Sequence, residues 1–168
     1  MNVIGYHDHI LDMKVESWIL NKDQCFVERY TNGCGSKSNE KYVPDFILGL
    51  DLRIVCMIHD LTFYKVEYKL YHDIITTDEA KLMISKYNKD MRYNIEILAK
   101  KIFMKNDRWY TLCNVFRSNS RFKILKYIVH LLVAKIYQIG VDLGGFKTVL
   151  SNIKSNISDD KSYYDISC

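Results

Sequence analysis

A histidine and a carboxylate set side by side inside an apolar segment are the residues of this sequence best placed to do chemistry. Cys56-Met-Ile-His59-Asp60 falls within the apolar run from Leu48 to Tyr64, and no other titratable pair sits so deep in hydrophobic sequence. A helix beginning near Asp51 puts Leu52, Val55, Cys56, His59, Thr62, Phe63 and Val66 on one face. Asp60 is then turned away by about 100°, one residue's step at 3.6 residues per turn. An imidazole in an apolar wall can serve as a general base near neutral pH, and a carboxylate can hold a hard cation. The plainer alternative is a core histidine bonded to a backbone carbonyl, with Asp60 a solvated surface charge.

Other elements must hold that helix in place. Before it, Tyr30 to Asn39 reads as a loop, in which Asn32-Gly33-Cys34-Gly35-Ser36 allows positive φ and can aim several backbone groups at one point. Pro44 limits the chain before the helix, and Asp51 is an N-cap candidate. After the helix, which should end near Tyr71, Thr76 and Glu79 have the spacing of a capping box. Ala80, Met83, Ile84, Tyr87, Met91, Ile95, Leu98 and Ile102 then recur every three or four residues, so a second long helix lies antiparallel to the first. A third, from Arg121 to Ile139, carries Ile124, Leu125, Ile128, Val129, Leu132 and Ile136 on one side and Lys123, Lys126 and His130 on the other. It reads as a buried amphipathic helix that Gly144-Gly145 ends, rather than as a membrane span. Between the second and third helices, residues 105–120 read as loop around a short Trp109–Phe116 element.

Composition sets the outer limits. With 168 residues, 48% of them hydrophobic and 26% charged, the chain is one globular domain, expected over residues 1–150, with 151–168 a polar tail. One proline and seven glycines favour long helices with few turns, so the fold class is all-α. A net charge of +4 is too small for a nucleic-acid footprint. Five cysteines cannot all pair within the chain, and their spacing is not that of a zinc site. Near the N-terminus, Trp18 reads as a core anchor, and His7-Asp8-His9 could share a metal only in a strand. No secretory signal or membrane span is read, which leaves a cytoplasmic, virion-associated or non-standard exported location open.

Taken in order, Asn32-Gly33-Cys34-Gly35, Pro44-Asp45, Gly49-Leu-Asp51 and Cys56-x-x-His59-Asp60-x-x-Phe63 resemble the prokaryotic type of phospholipase A2. That family has an Asp-Gly-Cys-type loop, a Cys-x-x-His-Asp-x-x-Tyr helix, and a second helix with an acidic partner for the histidine. Thr77-Asp78-Glu79 is also similar to the element after the His-Asp helix in viral capsid phospholipase A2 domains. The resemblance covers roughly residues 30–100.

It implies a calcium-dependent hydrolase that cleaves the sn-2 ester of glycerophospholipids at a membrane surface. His59 would be the general base and Asp78 its orienting carboxylate, with Asp73 or Asp90 as substitutes. Asp60, Asn32 and the Gly33 carbonyl would hold Ca2+. Cys34 would pair with Cys56, tying the loop to the helix, while Cys25 and Cys168 stay free. Asn32 stands where the family usually has aspartate, so the ion would be held weakly. The rival expectation is a catalytically weak or inactive structural or interaction protein of a phage or secretion system built on the same scaffold.

Overall fold

The computed structural model describes residues 12–31, 33–34, 45–47, 49–103 and 118–158. The expected all-α class holds. Among the described residues there are five helices, α1 (Ser17–Leu20), α2 (Gln24–Tyr30), α3 (Arg53–Tyr71), α4 (Thr77–Phe103) and α5 (Ser118–Ser158), and one minimal antiparallel pair, β1 (Phe46–Ile47) and β2 (Leu50–Asp51). That pair turns at Gly49, whose φ of 89° suits a residue without Cβ. His7-Asp8-His9 and the Trp109–Phe116 element lie outside the described residues.

Helix α3 is apolar nearly all round, and it is accordingly the central element. Ile54, Val55, Cys56, Met57, Ile58, Leu61, Tyr64 and Val66 are all buried. Asp51 sits one residue ahead of the N-cap, Leu52, and its carboxylate takes the Arg53 N–H at 3.0 Å and the Arg53 guanidinium. At its other end the chain reverses through residues 72–76, where Asp73 has φ 52°. The capping box then forms as expected: Thr76 N–H donates to Glu79 at 2.7 Å, and Glu79 N–H to Thr76 Oγ1 at 3.3 Å. Helix α4 buries Ala80, Ile84, Tyr87, Met91, Ile95 and Leu98 of the expected stripe, while Met83 is half-buried and Ile102 is exposed. Each large buried member of it is worth about 1.5–3 kcal/mol of burial.

The N-terminal helices close the far side of α3. Phe26 and Tyr30 of α2 pack on Tyr64, with ring centroids 5.3 and 4.2 Å away. Trp18 packs against the same core, as expected, and its indole N–H donates to Glu16 at 2.6 Å.

Helix α5 departs from expectation twice. It runs unbroken through Gly140, Gly144 and Gly145, and residues 151–158 continue it rather than forming a tail. Gly145 is there to let α3 and α4 approach: a Cβ on it would stand 2.9 Å from Phe63 Cζ and 3.5 Å from Ile84. Its rotation is also reversed. Leu125, Ile128, Leu132 and Ile136 are exposed, whereas His130 is completely buried.

Unmet hydrogen bonds account for that reversal. The surface α5 packs against carries buried Glu67, buried Asn88 and the Ile47 carbonyl, and an unpartnered buried polar group costs about 1–3 kcal/mol. Polar residues on the inward side of α5 answer them, beside buried Ala134 and Val149. Asn152 Nδ2 donates to Glu67 at 2.6 Å, Asp142 accepts from Asn88 at 2.7 Å, and His130 Nε2 meets the Ile47 carbonyl at 2.8 Å. His130 Nδ1 also faces a carbonyl, that of Lys126, at 2.6 Å. Carbonyls only accept, so both contacts are hydrogen bonds when both ring nitrogens carry a proton.

Candidate active site

His59 lies near the middle of α3, and Asn88 lies at matching height on the antiparallel α4. His59 Nε2 stands 2.9 Å from Asn88 Oδ1. Asn88 Nδ2 donates to Asp142 of α5 at 2.7 Å. The second bond fixes the first. A carboxylate can only accept, so the amide nitrogen faces Asp142 and the amide oxygen faces the ring, which makes Nε2 the donor. The lone pair of neutral His59 is therefore on Nδ1. The ring forms part of the wall of a cavity of about 340 Å³.

Burial pushes the His59 pKa down to about 4, against the opposing effects of the Asn88 hydrogen bond and the Asp142 charge. The ring is thus neutral, with an available lone pair, across the physiological range. Phe63 lies one turn on, its ring centroid 4.3 Å from that of His59, and helps exclude water from one side.

The cavity wall is mixed. Val15, Val55, Ile58 and Met91 supply apolar surface, and Lys14, Glu16, Lys86 and Asp90 supply charge. Glu16 accepts from Lys65, Tyr87 and Trp18. Burial alone would raise its pKa, but those three bonds outweigh that and hold it below the usual carboxylate range. Burial and the Glu16 bond push the Tyr87 phenol well above its ordinary value. Asp90 pairs with Lys14 at 3.0 Å.

Loop and helix meet at a disulfide. Cys34 and Cys56 are bonded, with Cα atoms 4.8 Å apart, inside the expected 4.4–6.8 Å range. Gly33, at φ 90°, precedes the bond, and the Asp45 carboxylate accepts the Cys34 N–H at 2.9 Å. The bond ties the Gly33-Cys34 segment to α3 one turn before Asp60, and the carboxylate beside Gly33 is that of Asp45. Cys25 is also in a disulfide rather than free, with its partner outside the described residues.

Other sequence candidates sit elsewhere. Asp78 is on the exposed first turn of α4, paired with Lys81 at 2.9 Å. It lies ten residues before Asn88, about 15 Å along the helix at 1.5 Å per residue. Asp73 is in the exposed turn. Asn32 lies outside the described residues. The family models, the curated proteins and the solved structures offer no match to this chain.

The donor types fit calcium. A carboxylate at Asp60 and a backbone carbonyl at Gly33 would be hard oxygen donors, carried on the two segments that the Cys34–Cys56 bond joins. Among the described residues no three His, Cys, Asp or Glu converge, so any such site relies on backbone oxygens and water.

Proposed function

We propose that the chain is a calcium-dependent phospholipase A2-like hydrolase acting on the sn-2 ester of glycerophospholipids. One observation carries the reading: His59 is held through Nε2 by a group on the antiparallel helix, and the residue lines a cavity. A general base needs that division, one nitrogen fixed and the other basic. The Cys34–Cys56 bond adds support, since it joins the glycine loop to the histidine helix in the order the resemblance implies.

In this reading His59 Nδ1 takes the proton of a water that attacks the ester carbonyl. Positive charge then develops on the ring and is answered through Asn88 by Asp142, one residue removed from direct contact. Val55, Ile58 and Met91 keep the reacting ester out of bulk water. Asp60 and the Gly33 carbonyl would hold calcium, which would supply the positive charge that ester hydrolysis calls for.

The test is fatty-acid release from mixed anionic phospholipid vesicles, with millimolar calcium and then with chelator. Activity should appear with calcium and vanish in His59→Ala and Asp60→Ala. Release that persists without calcium, or in His59→Ala, sinks the mechanism. Inactivity of the native chain on several lipids would put the interaction-protein reading in front.

A further inference from the structure

The seating of α5, with His130, Ala134 and Val149 turned inward, leaves a line of large apolar residues facing outward. Leu125, Ile128, Leu132, Ile136, Ile139 and Leu143 are 47–77% exposed, and they recur every three or four residues. That spacing stays close to 3.6 residues, so the line runs straight along the helix without drifting round it. The segment Ile124–Lys154 is long and apolar enough to cross a membrane, yet little of it is buried inside the fold.

Its charges decide what covers it. Helix α5 holds six Lys and Arg residues and one acid, Asp142. The Asp142 carboxylate is taken by Asn88. Exposed Lys135 and Lys147 fall on opposite flanks of the line, each about 60° from its centre at 100° per residue. Lysines at the edges of an apolar strip can extend their stems along it and hold their ammonium groups at headgroup level.

We propose that this face of α5 docks flat on an anionic lipid surface. Crossing is ruled out by the flank seated on α4 and by Lys135 and Lys147, which would both be drawn into hydrocarbon. A second copy would set lysine flanks against lysine flanks, with Asp142, which already accepts from Asn88, the one acid on the helix. The proposal stands apart from the hydrolase reading, because it uses none of the His59 site.

Co-sedimentation of the full chain with vesicles, in chelator so that no hydrolysis is read, provides the test. Binding is expected to an equal mixture of phosphatidylglycerol and phosphatidylcholine, and to be weak on phosphatidylcholine alone. Raising salt from about 0.1 to 1 M shortens the screening length from about 10 to 3 Å and should weaken it. Leu132→Glu with Ile136→Glu should reduce binding more than about tenfold, since it places two charges in the strip. Lys135→Glu with Lys147→Glu should remove the preference for the anionic lipid, and Leu82→Glu, exposed on α4, should change nothing. Should the double glutamate variant lose its helical circular dichroism, Ile136→Ser is the replacement and should weaken binding by a smaller factor. No binding to the anionic vesicles, or equal binding by the strip variants, overturns the proposal. So does a lipid-free dimer in sedimentation equilibrium that the strip variants dissociate, which would assign the face to a second copy.

Discussion

Asn88 turns its amide oxygen to His59 at 2.9 Å, and its orientation is set by what it donates to on the other side. A neutral amide stands between the ring and the carboxylate of Asp142. The ring therefore receives its orientation from one residue and its nearest negative charge from another.

Exchanging those two functions should move the titration of His59. Asn88→Asp combined with Asp142→Asn brings the carboxylate into contact with the ring without adding a charge. The His59 pKa should rise from about 4 toward neutrality, as read by NMR titration of the ring. Asn88→Leu should instead strand a buried N–H, at a cost of about 1–3 kcal/mol. An unmoved pKa in the exchanged pair would mean that Asn88 is not the ring's partner in solution.

Two buried groups give opposite pH dependences. His59 has a folded pKa depressed to about 4 from 6.5, so its contribution is full above 6.5 and lost as pH falls toward 4. Glu67 is raised by burial to about 7 from 4.5, against the Asn152 bond, so its contribution is full below 4.5 and lost as pH rises toward 7. The slopes cancel where these windows overlap. Glu67→Gln keeps an acceptor for Asn152 and removes one slope. Unfolding free energies from urea titration of that variant should climb from pH 4.5 to 6.5 where the native curve is flat, and exceed the native value at pH 8 by on the order of 2 kcal/mol.

Glycines of α5 should respond with opposite signs. A Cβ on Gly140 would meet nothing within 4 Å, so Gly140→Ala should gain about 0.5–1 kcal/mol from helix propensity. Gly145→Ala drives a methyl into Phe63 and, through it, toward His59, for a loss of about 1–3 kcal/mol that the propensity gain only partly offsets. Adding Phe63→Leu should recover much of it. Thermal melts of the four proteins decide the matter.

Opening the Cys34–Cys56 bond should cost about 3 kcal/mol, the entropy of a closed loop of this size. Cys34→Ser with Cys56→Ala should show that loss in urea unfolding. Peptide mapping should still find Cys25 in its own bond.

Residues with strong local signals were legible in the sequence. The capping box at Thr76, the stripe of α4 and the burial of His59 each rest on spacing within one helix. Asn88 is not a carboxylate, the group the resemblance implies, although an amide among Ile84, Tyr87 and Met91 marks a polar group that must find a buried partner. Asp142 gave no such sign, since its role depends on a helix 54 residues beyond Asn88. The rotation of α5 was misread for a related reason. Its own periodicity locates the apolar side, but Glu67, Asn88 and the Ile47 carbonyl determine which side faces in.

That 54-residue interval also has a meaning in time. At about 5–20 residues per second, a ribosome needs roughly 3–10 s to travel from Asn88 to Asp142. Helices α3 and α4 can pair during that interval, with His59 already between them and Asn88 free to point its amide either way. The orientation of the ring is thus completed only when α5 has been synthesised and docked, which makes it among the last events in the birth of the molecule.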